Sequence, residues 1–371
     1  MSLPAMYRFH LTPVLLLLFL ALAPLQLCAA TQSPPMEEAA WRISGEDRKF
    51  ETYQERSSLY LRNGAAEPIG VEFENGVIEF DIAVPDERGF SGIAFRRLGD
   101  GDFEHFYIRP HQSGQPDASQ YTPVFHGVAG WQIYYGRRYA APLEFKFDKW
   151  MHVKLVVSGD KADIYLDSEK PVLHVDRLMR DPSRGGIALT ASFAGVHFAN
   201  LSVEEQVSPA IVGEVAPLTP LAKGTVKEWE VSTPFDSASL DGVEPLSPKQ
   251  LAGLRWTSLA VEENGVANIA RLTPFGDRSD AVFARISIDA DKQENRRFDF
   301  GYSDDVRAYV NGALVYAGSA GYVTRDHRFL GTVGLYDSLF LPLKKGRNEI
   351  VFAVKENFGG WAIAGAVDGE N

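Results

Sequence analysis

The stretch Trp150 to Asp167, WMHVKLVVSGDKADIYLD, constrains this chain more than any other. Apolar and polar residues alternate from Trp150 through Val157. Ser158-Gly159-Asp160 make a turn, and alternation resumes from Lys161 to Asp167. A period of two sends successive side chains to opposite faces, so the pattern predicts two antiparallel strands with one buried face. The signature recurs. Gly76 to Val84 alternates after an Asn75-Gly76 turn, Ser91 to Arg96 and Phe103 to Arg109 follow, and Gly186 to Leu189 and Val196 to Leu201 close the series. Short strands and frequent turns, with no long amphipathic helix pattern, predict an all-β chain built on antiparallel sandwiches.

A second series begins farther on, with strands expected at Ala281 to Asp289, Arg296 to Tyr302, Val306 to Val310, Ala313 to Ala317 and Asn348 to Val354. Asn311-Gly312 is a strong two-residue hairpin signal, because both turn positions must tolerate positive φ. The one helical candidate is Ser247 to Leu254, opening with Ser247-Pro248 in the cap and N1 positions. Between the two series lies QVSPAIVGEVAPLTPLAKGT, residues 206–225, in which Pro209, Pro217 and Pro220 block regular ladders. Its apolar residues predict a strap packed on a domain. The expected organisation is a sandwich over 36–206, a Pro-rich linker over 207–223 and a second sandwich, a jelly roll, over 224–371. That suits 371 residues at roughly 100–200 per domain.

The first thirty residues predict an export signal. Arg8 and His10 precede an apolar run from Val14 to Leu27, and small residues at Cys28 and Ala30 suit a cut after Ala30. The alternative is lipid attachment at Cys28, although Leu27 stands where that signal wants a small residue. No later stretch approaches the apolar length of a membrane span. The expected location is secreted or periplasmic. Cys28 is the single cysteine, which excludes a disulfide scaffold and a cysteine-based zinc cluster. A net charge of −12 argues against nucleic acid as a partner, since phosphate neutralisation needs clustered Lys and Arg.

Several segments of the first series, "FSGIAFR" at 90–96, "FYIRPHQSG" at 106–114, "WQIYYG" at 131–136 and the 150–167 stretch, resemble the concanavalin A-like lectin/glucanase superfamily. The nearest branches are the laminin-G-like and 3-keto-disaccharide-hydrolase-like ones. That resemblance implies a sandwich whose relatives include lectins, adhesion modules and hydrolases, so it implies a fold more than an activity. The second series looks like a galactose-binding-like jelly roll, on "FDFGYSDDVRAYVNGALVYAG" at 298–318 and "LPLKKGRNEIVFAVKENFGGW" at 341–361. Modules of that kind commonly bind carbohydrate, with ligand loops at one end.

The candidate chemistry is weighed residue by residue. A sandwich-fold glucanase carries Glu-x-Asp-x-(x)-Glu on one strand. Glu79 and Asp81 supply two members, but Ala83 and Val84 replace the third. Glu79 and Asp81 therefore read as the polar face of a half-buried strand. The stretch 104–111 is more informative. As an extended strand it puts His105, Tyr107, Arg109 and His111 on one face and Phe106 and Ile108 on the other. Two histidines, a tyrosine and an arginine make a poor core stripe and a good polar platform. Gln112, Tyr121, Trp131, Gln132 and Tyr134 follow, giving the flat rings and amides that recognise sugars. Six residues of strand separate His105 from His111 by about 20 Å, too far for one zinc ion.

In the second series, Asp304 and Asp305 form a candidate structural Ca²⁺ site or, equally, a turn that bonds its own backbone. Arg325 in the loop 322–329, and Asn357 and Trp361 around Gly359-Gly360, are candidate ligand contacts, with Trp361 equally readable as a core plug. Ser91 lacks the second glycine of a nucleophile elbow, and no phosphate-binding loop occurs. Asn200-Leu201-Ser202 is a lone glycosylation sequon. The expectation is an exported carbohydrate-recognition protein binding oligo- or polysaccharide without cofactor. The alternatives are a glycoside or keto-sugar hydrolase with acid and base on separate loops, and an adhesion module with a protein partner.

Overall fold

The computed structural model describes residues 31–242, 245–325 and 330–369. The export-signal reading lies outside the described residues, as does part of the loop that contains Arg325. The described chain is all-β, as expected, and its one α-helix is a single turn, Pro248–Leu251. The longer helix expected at 247–254 stops early because the chain turns extended at Ala252, at ψ 134°.

The first half forms one strongly curled sheet. Its order is Leu173–Val175, Lys161–Leu166, Met151–Ser158, Gly76–Ala83, Val196–Glu205, Arg56–Pro68, Gly185–Phe193, Gly89–Arg97, Phe103–Ile108, Ser119–Phe125 and Val128–Ala129. Every pairing along it is antiparallel, and the strands predicted from alternation at 76–84, 91–96, 103–109, 150–157, 161–167, 186–189 and 196–201 all appear within it. The curl is made at one strand. Along one edge Arg56–Pro68 pairs with Val196–Glu205 through Leu59, Tyr60 and Leu61, then with Gly185–Phe193 through Gly64, Ala65 and Ala66. Asn63, at φ 46°, sits between these runs, and its Oδ1 accepts from Phe193 N at 2.6 Å. The two layers thus diverge from the strand Arg56–Pro68 and close on a core that includes Leu59, Phe80, Ile93, Phe106, Val153 and Phe198.

The second half has two sheets. Six strands run in the order Trp256–Ala260, Glu228–Ser232, Ala281–Ala290, Gly346–Lys355, Asp305–Val310 and Ala313–Ser319. Four run in the order Val266–Asn268, Ala362–Val367, Glu294–Ser303 and Asp337–Leu343. Asn311 has φ 50° and Gly312 φ 86°, the turn geometry that an Asn-Gly pair accommodates. Trp229, Phe298, Phe300, Phe352 and Trp361 fill the space between the sheets.

The halves share their cores. Val266, Val333, Ala362 and Ala364 pack with the first half's cluster, and Phe125 and Val128 with the second's. No strand forms from Gln206 to Lys227, where the strap crosses the first half with Val212 N and Gly213 N donating to Asp163 Oδ2 at 2.6 and 2.9 Å.

Candidate functional site

Alternation along Phe103–Ile108 sorts its side chains. Glu104, Phe106 and Ile108 point into the core, and His105 and Tyr107 point out. On the outer side, rings from neighbouring strands meet in a continuous row. Phe103 lies 5.8 Å from His105 between centroids and His105 5.0 Å from Tyr107. Phe90 then lies 6.0 Å from Tyr107, 5.3 Å from His111 and 5.8 Å from Phe193. Residues opposite His105 and Tyr107 on the flanking strand are Ala94 and Gly92. Small side chains there leave the rings standing above the sheet. Arg88 lies over the Phe193 ring at 4.9 Å, and Phe193 is 53% exposed.

The expected platform therefore exists, with its members in two roles. His105, half-buried, is hydrogen-bonded through Nε2 to Thr190 Oγ1 at 3.0 Å, and burial pushes its pKa down to about 4. It is a neutral ring at ordinary pH. Tyr107 and Arg109 are buried beneath the half-buried rings. The Tyr107 hydroxyl donates to Gln120 Oε1 at 2.7 Å, and Arg109 donates to Gln120 Oε1 and to Asp117 O, the latter at 2.7 Å. Arg109 also lies 5.0 Å over the Tyr107 ring. These two groups stiffen the platform from below. The strand ends at Ile108, so His111 sits in the turn Pro110–Gln112 instead of on the strand, yet its ring reaches Phe90. Gln112 lies in the same turn. Tyr121 faces the core, donating to Glu104 Oε2 at 2.6 Å, and burial pushes the Glu104 carboxyl up to about 7.

Gln120 links this face to the junction. Its amide donates to the carbonyls of Trp131, at 2.9 Å, and Tyr134. Gln132 and Tyr134 were expected at a ligand surface, but both are fully buried and join the halves. Gln132 Oε1 accepts from Ser303 Oγ at 2.9 Å and its amide donates to Leu330 O at 3.2 Å. The Tyr134 hydroxyl donates to Glu262 Oε1 at 2.9 Å and accepts from Asn268 Nδ2 at 3.0 Å. Burial pushes the Glu262 carboxyl up to about 7, against the Tyr134 hydrogen bond.

Trp131 is half-exposed. It meets Tyr322 and Phe358, each at 5.9 Å, and those two rings lie 6.1 Å apart. Three loops thus make a second ring cluster, with Phe358 59% exposed. Gly359, at φ +115°, lets the Asn357 loop close on it, because a Cβ there would come within 2.4 Å of Gln132 Oε1. Trp361 is a core residue whose Nε1 donates to Val354 O at 3.1 Å, so the plug reading of the pair left open describes its position. Arg325 donates to Tyr302 at 3.1 Å and pairs with Asp337.

Asp304 is committed to its own loop. Its Oδ2 accepts from Asn357 N and Phe358 N at 2.8 and 2.7 Å, and its Oδ1 lies 3.0 Å from Ser303 Oγ. Asp305 Oδ2 accepts from Asn357 Nδ2 at 3.1 Å. This is the loop-binding alternative, with donors on Asp304 where a cation would want bare oxygen. Glu79 and Asp81 stand on the other layer. Asp81 there accepts from Arg56 at 2.6 Å and Asn200 at 2.6 Å and is bonded to His152 Nδ1 at 2.8 Å.

No family model matches this chain, and no curated protein does. About half of it is similar to solved structures. A carbohydrate binding module from Bacillus subtilis overlaps 46% of this chain and 96% of its own, at 18% identity and TM-score 0.36. For a β-glucanase from Bacillus licheniformis the figures are 48%, 99%, 10% and 0.35. For a Bacillus subtilis protein of unknown function with a galectin-like fold they are 49%, 97%, 12% and 0.36. At TM-scores below 0.5 these overlaps say nothing about the site.

Sequence reasoning missed Phe90, Gln120, Thr190 and Phe193. Phe90 carried a signal, since it continues the Gly92 and Ala94 face. Gln120 carried none, because its four partners are brought to it by two other segments, 107–109 and 131–134.

Proposed function

We propose that this chain binds carbohydrate on the outer face of the layer that contains Gly89–Arg97 and Phe103–Ile108. The carrying observation is the unbroken row Phe103, His105, Tyr107, Phe90 and His111, at spacings of 5.0–6.0 Å. Rings held in a line, with the imidazoles of His105 and His111 among them, offer apolar surface to sugar C–H groups and placed ring nitrogens to hydroxyls. Arg109 and Gln120 support the reading by fixing the row from beneath, so that little ordering cost falls on binding. The concanavalin A-like motifs of the sequence favour the same class of ligand. The reading includes export, carried by the Arg8 to Ala30 pattern.

A glycan array with product analysis tests it. The expected result is retention of a restricted set of glycans without turnover, weakened tenfold or more by Phe90→Ala or His105→Ala, which is about 1.4 kcal/mol. Undiminished binding in both variants, or loss only in Phe358→Ala, would move the site off this face. Released sugar products would turn the reading to a hydrolase.

A further inference from the structure

A cavity of about 600 Å³ lies under the strap where the two halves meet. Small-molecule sites span about 300–1,000 Å³ and favour such junctions. The strap roofs it and is pinned on both sides. Asp163 holds Val212 and Gly213, Arg138 holds the Ala216 carbonyl, and Val226 N donates to Gly365 O at 2.8 Å. Between those pins Leu218 and Leu221 line the cavity, 51% and 41% exposed, with Leu335 beyond them at 37%. Other apolar residues of the strap are exposed too, Val207, Val212 and Val215 among them, but Leu218 and Leu221 converge with Leu335 on one space.

The polar groups in the lining are largely committed. The Tyr135 hydroxyl donates to Val333 O at 3.0 Å, and the Tyr139 hydroxyl and Arg138 Nε donate to Glu263 Oε1, both at 2.9 Å. A sugar needs free donors and acceptors for its hydroxyls, and stripping those of water without replacement is costly. An aliphatic body needs none. One charge is unspent, because Arg137 lines the cavity, is exposed and has no ion pair among the described residues. In a chain of net charge −12 an unpaired guanidinium beside apolar walls selects an anion.

We propose that this cavity binds a small amphipathic anion, its aliphatic part against Leu218, Leu221 and Leu335 and its charged end on Arg137. The test is calorimetric titration of the purified protein with decanoate, and with decyltrimethylammonium as a cation of equal chain length. Decanoate is expected to saturate a single site and the cation to bind at least tenfold more weakly. Arg137→Gln, a change at an exposed side chain, is expected to weaken decanoate tenfold or more, and Leu221→Ser to weaken both probes. Arg137→Lys, which keeps the charge, should retain most of the affinity. Equal binding of the two probes, unchanged affinity in Arg137→Gln, or no saturable decanoate binding would overturn the proposal.

Discussion

Glu356 is a buried carboxyl whose surroundings leave it half unsatisfied. Its Oε1 accepts from Gly360 N at 3.2 Å, and its Oε2 has no hydrogen-bond partner among the described residues. Burial first, and the nearby Asp304 charge second, push its pKa up to about 8. The folded chain therefore holds a proton that the unfolded chain releases near pH 4.5. Its contribution to stability is complete below that pH and is lost as pH rises through about 8. Glu356→Gln removes the charge while keeping the shape. The variant is expected to unfold at higher denaturant than the parent at pH 9, by about 5 kcal/mol, and to show a flatter stability profile between pH 5 and 9. A parallel pair of profiles would contradict this. Neither the burial nor the Asp304 neighbour was legible in KENFGGW, whose polar and aromatic residues read as candidate ligand contacts.

At the scale of elements, close approach decides what the strands can do. The hairpin of Trp41–Tyr53 and Arg56–Pro68 bridges both layers, and its strands meet where Gly45 opposes Gly64. A Cβ on Gly64 would lie 2.0 Å from Ser44 O and 2.5 Å from Gly45 Cα, both backbone atoms that cannot give way cheaply. Gly64→Ala is expected to cost about 2 kcal/mol or more, seen as a lower urea midpoint. This hairpin escaped prediction because its outer strand is largely exposed and polar, so alternation is weak. Gln120 shows the opposite case, a polar residue inside a strand that ties four partners. Gln120→Ala removes the shared acceptor of the buried Tyr107 and Arg109, which keep each other and Asp117 O, and frees the Trp131 and Tyr134 carbonyls, with an expected cost of about 1–3 kcal/mol. Ligand affinity on the ring face should fall with it, and Gln120→Glu, which keeps the acceptor, should restore part of the affinity. An unchanged unfolding midpoint in Gln120→Ala would show that the network carries no stability.

For the whole molecule, the consequence of shared cores is cooperativity. Residues from each half belong to the other's hydrophobic cluster, and Tyr134 bonds Glu262 and Asn268 across the join. The parent is expected to unfold in one calorimetric transition. Tyr134→Phe leaves the buried Glu262 Oε1 with only Arg271 at 3.4 Å and should cost about 1–3 kcal/mol. Two transitions in the parent would mean that the halves fold independently. If the join is as tight as its bonds imply, Tyr134→Phe lowers the single transition, and splitting appears when Gln132→Ala is added.

Alternation and turn residues alone settled the all-β class, most of the central strands, the Asn311-Gly312 hairpin and the outward face of His105 and Tyr107. Those features are local, because side-chain period and turn φ depend on neighbours along the chain. Which rings touch, which amides are spent and which carboxyls lose their water depend on how separate strands and loops pack, and for Gln132 on a partner 198 residues away. The same sequence pattern that puts Gln132 and Tyr134 among aromatic, sugar-like surroundings is what buries them once the second half packs down. Only that packing turns them from surface candidates into the bolts of the junction, and only it leaves a leucine-lined space beneath the strap.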